Sequence, residues 1–230
     1  MTQTYTFSPL GDRAIVVQFG DSIDDETFQR VQALSLRLQV ASIAGVTEHV
    51  PADTTVTLYY DPLRTTYEAV GASLGQLLAT LDVASSPVSR TVDIPVHYGG
   101  EWGCDLAFVA EHNGLSISEV IAIHTGVDYR VHMLGFAPGF PYLGGMSQRI
   151  AAPRRSAPRP RVPAGSVGIA GSQTGIYSLE TPGGWQLIGR TPLALFCPDQ
   201  SPPTLLAAGD LVRFRPISAQ EFAQLQEAHA

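Results

Sequence analysis

GFAPGFPYLGG (residues 135–145), APRRSAPRPRVPAGSVGIAGSQTGIY (152–177) and TPGGWQLIGRTP (181–192) form one reach dense in glycine and proline. A flexible linker of that composition would lack aromatics and aliphatic pairs. Here Phe136, Phe140, Tyr142 and Trp185 stand at set places among the turn residues. The reach therefore reads as shaped turns that place selected side chains around a pocket. Around it, residues 129–134, 166–170, 175–179, 185–189, 193–196 and 211–216 read as short strands separated by Gly and Pro signals. That pattern predicts a closed or nearly closed β-barrel.

Working outward, the N-terminal part has a different rhythm. Residues 14–19 (AIVVQF) form an apolar strand, and Asp24 caps a helix with Phe28, Val31, Leu34, Leu38 and Ala41 on one face. Residues 46–50 and 54–60 are two further strands, and Asp61-Pro62 breaks the second. Tyr67, Val70, Leu74, Leu77, Leu78 and Leu81 mark a second amphipathic helix, and 91–96 is a strand. The order β-α-β-β-α-β is the split βαβ, or ferredoxin-like, arrangement. Residues 84–87 read as a linker, which divides the chain into 1–86 and 87–230. Ser116 and Glu119 form a capping box for a helix ending near His124, and the tail from Ser218 reads as a final capped helix. The fold class expected is thus α+β.

Composition narrows the chemistry. All 14 basic residues are arginine, so a P-loop lysine, a Schiff-base lysine and a biotinyl-lysine are excluded. Residues 1–129 carry a net charge of −11 and residues 130–215 a net of +6. An anion-attracting C-terminal half is one reading, and solvated surfaces of opposite sign is the other. The overall charge of −7, with no strongly basic helix, argues against nucleic acid as a partner. No apolar run approaches the roughly 20 residues of a membrane span, and no signal peptide is visible. Cys104 and Cys197 read as reduced thiols of a cytoplasmic protein, and no Cys/His spacing suggests a metal site.

Arg149, Arg154, Arg155, Arg159 and Arg161 fall within 13 residues that contain no acid. Their planar forks suit carboxylate or phosphate, and the interleaved prolines restrict the backbone that carries them. Arg154 and Arg159, each after a proline, are the expected anion contacts. Arg149, Arg155 and Arg161 are expected to be ordinary surface or paired arginines. Gly171 stands for a glycine whose amide approaches a ligand, with a barrel corner as the alternative. Gln173, Thr174 and Tyr177 offer directional hydrogen bonds, and Trp185 is either core or pocket wall. His124, at a helix C-terminus, is either a cap favoured in its protonated form or a proton-transfer group; it is the catalytic candidate. There is no GxSxG elbow or Ser-His-Asp order.

Taken together, these motifs resemble one family. It holds the B component of bacterial ATP-dependent 5-oxoprolinase, the KipI kinase inhibitor and the protein called allophanate hydrolase subunit 1. The likeness runs from Gly11, Asp12 and Ala14, through Tyr60-Asp61-Pro62, IPVHYGG (94–100) and Asp105-Leu106, to the long motifs above and GDLVRF (209–214). Cys104 stands where the family carries proline. The resemblance implies a ferredoxin-like N-terminal domain and a cyclophilin-like barrel. It implies action with subunits A and C to open 5-oxoproline to L-glutamate, using ATP with Mg²⁺ at the level of the complex. The kinase-inhibitor branch implies docking on a sensor histidine kinase instead, and a urea-carboxylase-type partner is the third reading.

Overall fold

The computed structural model describes residues 5–22, 24–82 and 90–228. The chain divides into two compact units, Met1–Val88 and Ser89–Ala230. The linker expected at 84–87 lies outside the described residues.

The first unit contains β1 (Thr6–Pro9), β2 (Ala14–Gln18), α1 (Asp25–Val40), β3 (Val46–Pro51), β4 (Thr55–Tyr60) and α2 (Tyr67–Ala79). The sheet order is β1-β2-β4-β3, with every neighbouring pair antiparallel. β2 and β3 therefore run parallel with β4 between them. The far edge differs from expectation. It is filled by the N-terminal strand β1, while the strand expected to close the sheet lies in the second unit. Asp24 does cap α1, accepting from the Thr27 N–H at 2.8 Å. Thr66 does the same for α2 at 3.3 Å. Ile15, Val17, Val31, Leu34, Leu58, Val70 and Leu74 form the core beneath the helices.

The second unit contains β5 (Thr91–Tyr98), α3 (Leu106–His112), α4 (Ile117–Thr125), β6 (Asp128–Leu134), β7 (Pro141–Gly144), β8 (Arg159–Val162), β9 (Ser166–Ala170), β10 (Gln173–Ile176), β11 (Thr181–Gly183), β12 (Gln186–Arg190), β13 (Leu211–Pro216) and α5 (Ala219–Ala228). Seven strands close a barrel in the order β10-β7-β6-β13-β5-β12-β9, leaving no open edge. β13 lies parallel to β5 along its whole length, which draws β5 out of the N-terminal sheet. An ion pair of 2.6 Å between Arg90 and Asp210 fixes the start of that pairing. β8 and β11 form a separate two-stranded ribbon. Residues 193–196 are not a strand; only Phe196 makes an isolated bridge, to Thr204.

Period-two alternation sorts the barrel wall into two faces. Val167, Ile169, Ile176, Leu143 and Ile188 point into the main core. The alternate positions Phe140, Ala170, Tyr177, Trp185 and Leu187 belong to a second cluster, which Val162 of the β8–β11 ribbon joins. This cluster covers the outer side of β7, β10, β9 and β12, which are consecutive around the barrel. β9 is buried along its whole length because both of its faces are covered. The aromatic motif residues therefore build on the barrel wall and do not plug its interior.

Candidate functional site

On that outer wall lies a cleft of about 410 Å³. All three opening motifs contribute to it. Phe136, Phe140 and Tyr142 come from the β6–β7 connection and β7, Arg154, Arg155 and Pro158 from the proline-rich arm, and Tyr177 and Trp185 from the far side. Phe140 is the hub of the aromatic wall. It meets Tyr177 at 5.5 Å and Trp185 at 5.6 Å between centroids, with ring planes at 81° and 88°. These are edge-to-face contacts, the geometry favoured by the ring quadrupole.

Two glycines permit that packing. A Cβ on Gly175 would lie 3.0 Å from Phe140 Cζ and 3.1 Å from Trp185 Cζ3. A Cβ on Gly183 would collide with the Tyr177 hydroxyl.

The arginines divide sharply. Arg159 Nη2 lies 2.8 Å and Arg155 Nη1 3.3 Å from the same oxygen, Asp105 Oδ1. The other oxygen, Oδ2, accepts from the Leu187 N–H at 2.7 Å. Arg159 also reaches the Trp185 carbonyl at 3.4 Å and Cys104 Sγ at 3.2 Å. The Asp105 contacts raise the Arg159 pKa, against the desolvation of partial burial, which acts first and in the other direction. Arg161 pairs loosely with Glu180 at 3.8 Å. Arg154 makes no hydrogen bond or ion pair among the described residues and acts on Tyr177 only through its charge.

The backbone around Arg154 is nonetheless anchored on both sides. Gln186 Nε2 donates to the Pro153 carbonyl at 2.8 Å, and the Arg155 N–H donates to the Gly184 carbonyl at 2.8 Å. An unpaired guanidinium on a fixed backbone beside an aromatic wall is suited to receive a carboxylate or phosphate.

Tyr177 completes the donor set. Desolvation raises its pKa, while the Trp185 backbone, Arg154 and Arg159 pull it back in part. It thus remains a phenol at neutral pH and keeps its proton to donate.

The structure gathers Arg154, Tyr177 and Trp185 at the cleft, with Arg159 directly behind Trp185. Arg159, expected as an anion contact, directs Nη2 to the buried Asp105 carboxylate and Nη1 to the Trp185 carbonyl, a pairing invisible from the local sequence. Gly171 (φ 57°) turns the β9–β10 hairpin, and its N–H donates to the Ala152 carbonyl at 2.7 Å, so that amide is spent on the arm. Gln173 pairs with Ala170 across the hairpin, away from the lining residues.

Thr174 and His124 lie inside the barrel, on the other side of the wall. His124 is fully buried. Its Nδ1 is 2.8 Å from the Tyr98 hydroxyl and its Nε2 2.9 Å from Thr174 Oγ1. Thr174 Oγ1 donates to the Gly168 carbonyl at 3.1 Å, so it must accept from the imidazole. That assigns a neutral ring protonated at Nε2, with Tyr98 donating to Nδ1. Burial pushes the His124 pKa from 6.5 down to about 3, so the helix-end preference for the charged form is overridden. Both ring nitrogens are engaged and neither faces the cleft.

Asp105 was legible only as part of a motif, not as the organiser of two arginines. Phe136 was visible as an aromatic among glycines, but not its backbone conformation. No group of three or more His, Cys, Asp or Glu side chains suited to a metal occurs among the described residues. The donor set at the cleft, cationic and aromatic, fits an anion and not a divalent ion. No single helix among the described residues is long and apolar enough to cross a membrane.

Comparison with known proteins adds the family. Residues 5–206 match the family described as the carboxyltransferase domain, subdomain C and D. The chain is 48% identical to the B component of 5-oxoprolinase from Bacillus subtilis (strain 168), over 99% of both chains. It is 44% identical to the component of the same name from Escherichia coli O157:H7, over 90% of this chain and 94% of that one. Among solved structures, TTHA0988 matches with a TM-score of 0.79 and 41% identity over 90% of this chain. The chain covers 40% of the TTHA0988 chain.

Proposed function

The chain belongs to the carboxyltransferase-domain family of subdomains C and D and, within it, to the B components of 5-oxoprolinase; from that premise we propose that it serves an ATP-dependent 5-oxoprolinase of several chains. The barrel is read as cyclophilin-like, and the first unit as a ferredoxin-like sheet whose last strand has been replaced. The cleft on the barrel wall receives the substrate or its phosphorylated form, completed by subunits A and C in a cytoplasmic assembly. ATP with Mg²⁺ acts at the level of that assembly.

The observation that carries this reading is the unpaired Arg154 beside an aromatic cleft, while its neighbours Arg155 and Arg159 are held by Asp105. 5-Oxoproline presents a carboxylate on a small ring with apolar faces. Arg154 takes the carboxylate, the aromatic walls take the ring, and the Tyr177 proton is available to a carbonyl or phosphoryl oxygen. A lactam is a poor electrophile, so transfer of the ATP γ-phosphoryl group to its carbonyl oxygen, with release of ADP, makes the carbonyl carbon open to attack. Water adds there, the C–N bond breaks to open the ring, and a second water releases phosphate to leave L-glutamate. The Tyr177 phenol is the donor placed to stabilise the charge that develops at that carbonyl.

Reconstitution with the A and C partner chains tests the reading. Glutamate should form from 5-oxoproline only with ATP and all three chains. Full activity of A and C without this chain would overturn it, as would turnover requiring urea and bicarbonate in place of 5-oxoproline.

A further inference from the structure

Phe136 is 63% exposed, the most exposed aromatic of the cleft. It is also the only non-glycine residue with positive φ among the described residues, at 65°. The Ala137 N–H donates to the Gly135 carbonyl across it at 2.7 Å, closing a three-residue γ-turn. Turns of this hand are rare and strained for residues with a side chain. Such strain persists only where the surroundings over-determine the backbone, and it concentrates at functional sites.

The surroundings do so here. The Gly135 N–H donates to the Phe140 carbonyl at 3.1 Å, and the Phe140 N–H to the Ala137 carbonyl at 3.0 Å. Gly139 packs so closely that a Cβ there would lie 3.1 Å from the Leu195 carbonyl. Glycine at 136 would take the same positive φ without strain, as Gly139 does nearby at 76°. The ring is therefore what the turn holds in place. It stands edge-on to Phe140 (5.4 Å, 73°) and Tyr177 (6.5 Å, 87°), with most of its surface open. Core packing does not account for a ring left so exposed.

We propose that Phe136 is a specificity-determining residue of the cleft: the strained turn holds its ring where it covers the apolar face of a bound cyclic carboxylate. This rests on the reading above that the cleft receives 5-oxoproline. Arg154 selects for charge, and Phe136 selects for a ring next to the charge.

The test uses the reconstituted three-chain complex and the variants Phe136→Gly, Phe136→Tyr and Arg154→Ala. Phe136→Gly relieves the turn, so its melting temperature should match or exceed that of the parent chain. The KM for 5-oxoproline should rise about 5- to 10-fold, the worth of an aromatic contact, with kcat much less affected. Phe136→Tyr should restore KM. Inhibition by L-proline should weaken in Phe136→Gly, while inhibition by acyclic butyrate should not. If Arg154→Ala raises KM and Phe136→Gly does not, the proposal fails and the cleft reading stands. If neither changes KM, both fail. A clear fall in melting temperature for Phe136→Gly would show the ring to be a packing element and would also overturn the proposal.

Discussion

Arg159 Nη2 sits 2.8 Å from Asp105 Oδ1, and this pair decides which arginine of the proline-rich arm is left for a ligand. Asp105 is 6% exposed, so its charge must be compensated from within the protein. Arg159 and Arg155 supply that compensation on one oxygen, and the Leu187 N–H does so on the other. The arm is thus held by two arginines paired to Asp105, with the Arg154 guanidinium, one residue from Arg155, unpaired among the described residues.

Asp105→Ala should therefore destabilise the second unit strongly. It strands the mostly buried Arg159 guanidinium and a buried N–H, and breaking a buried pair from one side costs about 3 kcal/mol, while the exposed Arg155 returns to solvent. Asp105→Asn, which keeps an acceptor for Leu187, should cost less. Arg161→Ala, at a loose exposed pair, should stay within about 0.5 kcal/mol of the parent. Urea denaturation of the three variants checks the ranking.

His124 predicts a pH dependence of stability with a definite sign. Its pKa is about 3 folded and 6.5 as an ordinary histidine. Between those values the unfolded chain binds a proton that the folded chain does not. The stabilisation is fully present above pH 6.5 and is lost as pH falls towards 3, by about 1.4 kcal/mol per pH unit within the window. His124→Gln should lower stability at pH 7.5, because Thr174 and Tyr98 lose a fitted partner, and should flatten the slope below pH 6.5. Denaturation midpoints from pH 7.5 to 4.5 read both effects.

Gly183→Ala should disturb the cleft without touching the barrel core. Its Cβ would displace the Tyr177 hydroxyl, and Tyr177 is too deeply buried to swing aside freely. A cost of about 1–3 kcal/mol is expected from overpacking. A changed near-UV circular dichroism spectrum with an unchanged far-UV spectrum would report the displaced ring.

Much of this was legible from local pattern. The strands at 166–170 and 211–216, the Asp24 cap and the Ser116–Glu119 capping box follow from alternation and capping chemistry, which act within a few residues. What the sequence hid was long-range. The fork of Arg159 is taken by an acid 54 residues earlier in the chain. β5 leaves the N-terminal sheet because β13, far along the chain, offers a full parallel register. β1 is a four-residue strand with a terminal proline, too short for alternation to mark it. His124 was placed correctly at a helix end, but burial inside the barrel, which no helix pattern reveals, reversed its charge state. For the cleft, the aromatics and Arg154 were readable, and the pairing that leaves Arg154 unbound was not.

The most direct test of the account is the KM for 5-oxoproline of an Arg154→Ala complex, measured beside the variant's own unfolding. An exposed residue with no partner should leave stability within about 0.5 kcal/mol of the parent. Loss of a charged hydrogen bond, about 1.5–3 kcal/mol, should raise KM roughly 10- to 150-fold. Unchanged KM and kcat in a fully folded Arg154→Ala complex would contradict the assignment of the cleft as the anion site.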